Sequence, residues 1–282
     1  MELCQQISVL RQKITAAKSD GKQVGLVPTM GYLHAGHQSL IQQARLDCDL
    51  VVVSIFVNPI QFGPNEDYAT YPRDLERDSQ MAYAAGADLI FAPPVADMYP
   101  KPNLAHVEVD LMGNCLCGRS RQGHFRGVAT VVSKLFNIAQ PHKAYFGKKD
   151  AQQLAIIKRM VEDLNFPIHI VAIPIAREQD GLAMSSRNIY LSPAQRAQAP
   201  VLHQALVKAQ EMFTLGERSS IQIIAAMKQM IGYQSLADID YIEIVDTETL
   251  QPVEILDNSS LLALAVRFGK TRLIDNITLG ED

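Results

Sequence analysis

Apolar and polar positions along the chain follow two periods in turn. Residues 3–18 carry apolar side chains at helical spacing and predict a first helix. Short apolar runs follow at 24–27, 50–57 and 89–91, separated by helical patterns over 37–46 and 74–85. Such alternation predicts a parallel sheet covered by helices. The run Leu50-Val51-Val52-Val53-Ser54-Ile55-Phe56-Val57 is apolar on both faces, as a central parallel strand must be. Further helices are predicted over 127–139 and 151–164, with strands near 144–146 and 168–173. Beyond residue 190 the pattern changes. Ser192-Pro193 opens long helical patterns over 193–213 and 219–232, and alternating strands follow near 239–245 and 261–267. The expected fold class is α/β: a Rossmann-like parallel sheet with covering helices over 1–175, then a smaller C-terminal α+β domain over 176–282, with 176–190 joining the two.

Composition narrows the function classes. The chain has 282 residues, 48% of them hydrophobic and 20% charged, which suits a globular protein able to bury a large core. A formal net charge of −4 gives no electrostatic footprint for nucleic acid. No apolar run approaches the ~20 residues of a membrane span, and the first residues lack the basic and apolar regions of a signal peptide. The expectation is a cytoplasmic protein without nucleic-acid or membrane partners. Cys4, Cys48, Cys115 and Cys117 do not form a disulfide framework, and no second pair completes a zinc site with Cys115 and Cys117. No metal ligands are assigned.

Chemistry concentrates after the first apolar run. Pro28-Thr29-Met30-Gly31-Tyr32-Leu33-His34-Ala35-Gly36-His37 is a glycine-punctuated turn between a predicted strand and a helix start. Unpaired N–H groups and the dipole at a helix N-terminus favour phosphate, and Gly31 and Gly36 let backbone approach a ligand. His34 and His37, three apart, share one face of a first helical turn. Two readings stand side by side: a phosphate site, or surface and capping histidines. The pattern matches neither Gly-x-Gly-x-x-Gly nor the loop ending in Gly-Lys-Ser/Thr.

Four other segments carry candidate chemistry. Phe56-Val57-Asn58-Pro59-Ile60-Gln61-Phe62 leaves the central strand, and Gln61 offers both donor and acceptor. Gly118 to Gly127 is rich in arginine and glycine and suits a loop closing over anions, or one merely solvated. In Gly147-Lys148-Lys149-Asp150, Asp150 is a good N-cap, Lys149 could neutralise phosphate, and Gln153 lies a turn further on. Met184-Ser185-Ser186-Arg187 supplies two hydroxyls and a guanidinium able to hold phosphate charge.

The histidine segment resembles the HIGH motif of the nucleotidyltransferase superfamily, whose members attack the α-phosphate of a nucleotide and expel pyrophosphate. With all five segments in order and at matching spacing, the chain resembles the pantoate–β-alanine ligase family from its start to at least Leu191. The motifs PTMGYLHAGH, FVNPIQF, GHFRGVATVVSKLFN and DGLAMSSRN carry that resemblance. It implies ATP-dependent joining of (R)-pantoate to β-alanine through a pantoyl adenylate, with AMP and pyrophosphate released, Mg²⁺ required and a homodimer formed. It places Met30, Gly31, Tyr32, Leu33, His34, Ala35, Gly36 and His37 at the ATP site, His37 as proton donor, and Gly147, Lys148, Lys149, Asp150, Ala176 and Met184 to Arg187 at the nucleotide. It gives Gln61 and Gln153 to pantoate, and makes Lys149, Ser185, Ser186 and Arg187 the charge stabilisers beside His34 and His37. Two positions depart: Lys148 stands where an acid is usual, and Leu116-Cys117-Gly118 where Leu-Glu-Gly is common. Within enzymes the alternative is a transferase that stops at a nucleotidyl product; outside them, a nucleotide-sensing scaffold.

Overall fold

The computed structural model describes residues 2–64 and 66–280. Six strands, β1 (Glu2–Cys4), β2 (Val24–Thr29), β3 (Leu50–Ile55), β4 (Leu89–Phe91), β5 (Lys143–Gly147) and β6 (His169–Ile173), form one sheet in the order β1-β4-β3-β2-β5-β6. Every pairing in it is parallel. β3 is buried on both faces between β2 and β4, as its unbroken apolar run requires. Strand order reverses between β2 and β5, and parallel sheets bind ligands at the carboxyl ends of strands at such a switch point. The histidine segment leaves β2 and Gly147-Lys148 closes β5, so two predicted segments emerge from neighbouring strands.

The crossovers carry helices Ile7–Ser19, Ala35–Asp47, Leu75–Ala84, His124–Ala139 and Ala151–Asp163. His124–Ala139 is buried nearly all round, its apolar residues leaving little polar face. The first helix begins four residues later than residue 3, where it was expected. Glu2–Cys4 instead extends the sheet beside β4, and Cys4 is buried there. Three residues show too little periodicity to reveal an edge strand.

Chain contacts divide the molecule into two units. The first holds 1–113, 121–148 and 156–174; the second holds 114–120, 149–155 and 175–282. In the second, β7 (Ala237–Asp246), β8 (Ser260–Phe268) and β9 (Thr271–Thr278) form an antiparallel sheet. Its core joins β8 to helices Val201–Thr214 and Ser220–Gly232 through Leu206, Ile223, Met227, Leu262 and Leu264. The single helix expected over 193–213 is two, Pro193–Gln198 and Val201–Thr214, interrupted at Pro200, which has no N–H to donate. β9 lies outside the predicted strands. Asp275 and Asn276, both buried, interrupt its apolar alternation, while Gly269 in the left-handed region turns the hairpin from Phe268 to Thr271.

Candidate active site

The histidine segment is shaped by a carboxylate rather than by its glycines alone. Gly31 (φ +87°) and Tyr32 (φ +52°) are both left-handed, which turns two successive N–H groups inward. Asp78, on helix Leu75–Ala84, accepts both: Tyr32 N–H on Oδ2 and Leu33 N–H on Oδ1, each at 2.7 Å. A Cβ on Gly31 would stand 2.9 Å from Asp78 Oδ2 and 3.0 Å from Ile55 Cγ2, so the turn needs glycine there. Burial pushes the Asp78 carboxyl up, with the N–H donations from Leu33 and Tyr32 opposing it. Next along that helix, Arg77 donates to the Leu33 carbonyl at 3.0 Å and lies over the Tyr32 ring at 4.9 Å.

The two histidines close the helix start on each other. His34 is the N-cap of Ala35–Asp47, its Nδ1 accepting the Gly36 N–H at 3.1 Å, while His37 Nδ1 accepts the His34 N–H at 3.3 Å. Their rings are 4.1 Å apart. A neutral imidazole whose Nδ1 accepts must carry its proton on Nε2. Both residues therefore present an Nε2–H donor at a helix N-terminus. The capping and phosphate readings are compatible: one ring edge caps, and the other is a donor.

Gln61 sits on the same unit, in the turn Pro59–Gln61. The orientation of its amide follows from a chain of donors. Tyr99 Oη donates to Asn58 Oδ1 (2.8 Å), so Asn58 Nδ2 is the donor to Gln61 Oε1 (3.1 Å), leaving Gln61 Nε2 to meet Met30 Sδ (3.0 Å). Burial pushes the Tyr99 phenol up, which keeps it a donor. Asn58 also donates to the Gly127 carbonyl at 3.1 Å. A Cβ on Gly127 would be 2.4 Å from the Ile60 oxygen, so the turn and helix His124–Ala139 touch backbone to backbone. A cavity of about 230 Å³ borders this region, lined by Met30, Gly31, Phe56, Arg73 and Asp78 among others.

The remaining predicted residues lie mostly in the second unit. Lys149 Nζ donates to the Met184 carbonyl at 2.7 Å, and Met184 N–H donates to Ala176 O at 2.9 Å. Desolvation holds the Lys149 ammonium below the usual lysine range; Asp150 and Asp275 oppose this and Arg187 adds to it. Ser185 Oγ accepts the Arg187 N–H (3.2 Å), opening the turn Ser186–Tyr190. The strand-like pair of Arg177 with Ala183 carries this element, and Arg177 is clamped by Asp275 through two bonds of 2.6 and 3.0 Å. Asn276 donates to the Lys149 carbonyl at 2.8 Å. β9 is thus the platform on which Lys149 and Met184 to Arg187 stand.

Gln153 is half-buried on helix Ala151–Asp163, whereas its neighbour Gln152 is structural, donating to Cys115 O (2.8 Å) and accepting Cys117 N–H (3.0 Å). Asp150 ends a 3₁₀ turn that runs straight into that helix. The Cys117 thiol packs between Tyr241 Oη (3.2 Å) and the Arg272 guanidinium (3.5 Å). None of the four cysteines forms a disulfide. The positioning residues Asp78, Asn58, Tyr99, Asp275 and Asn276 were not singled out from sequence. Asp78 left one signal: it is a charge on the apolar face of a helix, four residues before buried Ala82.

A family model described as pantoate–β-alanine ligase matches residues 2–278. Pantothenate synthetases of Desulfitobacterium hafniense and Moorella thermoacetica are 57% and 56% identical over 279 residues, 99% of this chain and of theirs. The crystal structure of pantothenate synthetase from Thermus thermophilus superposes with a TM-score of 0.94 at 46% identity, covering 99% of both chains. That of a Francisella tularensis pantoate–β-alanine ligase, complexed with β,γ-ATP and β-alanine, gives 0.81 at 36%, covering 99% of this chain and 97% of its own. With likeness running the full length of the chain in both sequence and fold, this protein belongs to the pantoate–β-alanine ligase family of enzymes.

Proposed function

We propose that the chain condenses (R)-pantoate with β-alanine at the expense of ATP, through a pantoyl-adenylate intermediate. A carboxylate is a poor acyl electrophile because oxide would have to leave. Attack of a pantoate carboxylate oxygen on the α-phosphorus forms a mixed anhydride and expels pyrophosphate. The β-alanine amine then attacks the acyl carbon, the C–O bond breaks, and AMP leaves with that oxygen. Positioning and charge stabilisation dominate the first step.

The observation that carries this reading is the mutual capping of His34 and His37, which sets two Nε2–H donors at a helix N-terminus. They would donate to phosphate oxygens, with His37 as the proton donor to the departing pyrophosphate. Met30 to Leu33, Ala35 and Gly36 would line the nucleotide. Gln61, its amide oriented by Asn58 and Met30, keeps a second amide hydrogen and an acceptor lone pair for a hydroxy acid. Gln153 would bind the same acid. Lys149, Ser185, Ser186 and Arg187 would hold phosphate charge, beside nucleotide contacts from Gly147, Lys148, Asp150, Ala176 and Met184.

Mg²⁺ would enter with the triphosphate. Mg²⁺ usually keeps several waters and is bound largely through substrate phosphates, so phosphate oxygens and water would carry it. When bound, it neutralises phosphate charge. No helix among the described residues is long and apolar enough to cross a membrane. A homodimer acting in the cytoplasm on small soluble substrates is part of the proposal. Pyrophosphate exchange into ATP with (R)-pantoate and Mg²⁺, and no β-alanine, tests it. Pantoate-dependent exchange is expected; folded, ATP-binding protein that shows none would overturn the reading.

A further inference from the structure

Arg121 and His124 come from the arginine-rich segment that sequence reading leaves as a solvated or anion-closing loop, yet both are engaged within the first unit. Arg121 grips the Glu66 carboxylate through Nε–Oε1 (2.6 Å) and Nη2–Oε2 (2.9 Å), and Glu66 Oε2 also accepts the Gly63 N–H at 3.2 Å. Nη1 of Arg121 lies 2.8 Å from His124 Nε2, and His124 Nδ1 lies 2.8 Å from the carbonyl of Gln61. A guanidinium only donates and a carbonyl only accepts, so His124 must be neutral with its proton on Nδ1. This is the opposite tautomer to that of His34 and His37. These groups close a ring from Gln61 to nearby Gly63, whose N–H meets Glu66, across to Arg121 and His124, and back to Gln61.

We infer that Glu66, Arg121 and His124 are positioning residues that fix the Gln61 turn against the helix His124–Ala139, and thereby set the affinity for the hydroxy acid and not for the nucleotide. Among the described residues three contacts join that turn to the helix: His124 to the Gln61 carbonyl, Asn58 to the Gly127 carbonyl, and the backbone approach that Gly127 permits. The latter two lie on the Asn58 and Ile60 side. The ring holds the Gln61 carbonyl itself, on the peptide whose N–H, from Phe62, donates to the Pro59 carbonyl at 3.3 Å, and rotation of that peptide would swing the side-chain amide. The arrangement of charge agrees. Burial raises the Glu66 carboxyl, but the Arg121 hydrogen bond and charge together with the Gly63 N–H outweigh it and leave it lowered, so Glu66 stays ionised at neutral pH. The assignment to the hydroxy acid rests on the proposed function; the ring does not.

Two readouts separate these. In Arg121→Met, the KM for (R)-pantoate in the exchange reaction is expected to rise about tenfold while that for ATP stays within about twofold. His124→Asn, which keeps an N–H donor near the Nδ1 position, is expected to restore most of what His124→Ala loses. Equal rises in both KM values, or His124→Ala and His124→Asn behaving alike, would overturn the inference. Nitrogen-15 NMR of histidine-labelled protein, with His124→Asn giving the assignment, is expected to find His124 protonated on Nδ1 in the wild type. An Nε2-protonated His124 in the wild type would refute the ring whatever the activity. Wild-type protein without exchange would refute the proposed function and with it the role assigned to the ring.

Discussion

The carboxylate of Asp78 and the backbone of Leu33 are joined by a 2.7 Å hydrogen bond across 45 positions of sequence, inside the first unit. With the matching bond from Tyr32, it fixes the turn from which the His34 cap begins. Asp78→Asn keeps the shape but offers an amide N–H₂ to one of two N–H donors. One buried donor loses its acceptor, at a cost of roughly 1–3 kcal/mol. Urea denaturation is expected to show that loss, and exchange activity to fall with it. Unchanged stability would mean the turn holds itself.

Gly127 allows a close approach. Gly127→Ala places a methyl 2.4 Å from the Ile60 oxygen and 2.6 Å from Gln61 Cα, on backbone that cannot swing aside like a side chain. Overpacking of this kind costs roughly 1–3 kcal/mol. The KM for (R)-pantoate is expected to rise as Gln61 is pushed away. A variant as stable as the wild type, with unaltered KM, would show that the turn has room to move.

Lys149 couples nucleotide binding to protons. Desolvation lowers its pKa in the ligand-free chain, and a phosphate beside it would raise the pKa again. At pH values near or above the ligand-free pKa, ATP binding should then take up protons, and affinity should weaken as pH rises through that value. Calorimetry in two buffers of different ionisation enthalpy measures this uptake. It is expected to be larger for the wild type than for Lys149→Met; identical uptake would remove Lys149 from the phosphate.

Asp275 is 2% exposed and accepts both arms of Arg177. Removing one partner of a buried pair typically costs 3–5 kcal/mol, and the partly exposed Arg177 puts Asp275→Ala near about 3 kcal/mol. Hydrogen exchange at the amides of Ala183 and Met184 is expected to accelerate beyond that of the remaining second-unit core. Uniform acceleration would indicate global unfolding instead of release of the Met184–Arg187 element.

What sequence made legible was whatever a local pattern encodes. β3 needed only its doubly apolar run, and the histidine helix only its glycines and spacing. Pro200 was visible, yet 193–213 still read as one helix because the periodicity resumes in phase behind it. β1 is too short to show a period, and β9 carries Asp275 and Asn276 inward to hold Arg177 and Lys149, which breaks the alternation that marks a strand. In the candidate site, residues offering chemistry by type were visible: His34, His37, Gln61, Lys149, Arg187. Those acting by position were not. Asp78 reaches Leu33 and Arg121 reaches Glu66 across 45 and 55 positions, and no local pattern records such pairs.

The most direct test follows the oxygen. (R)-Pantoate labelled with 18O in its carboxylate is incubated with ATP, Mg²⁺ and β-alanine, and the products are analysed by mass spectrometry. Through an adenylate, one labelled oxygen is expected in AMP and one in the amide of the product. AMP without label, or label in pyrophosphate or free phosphate, would contradict attack on the α-phosphorus and with it the proposed reaction.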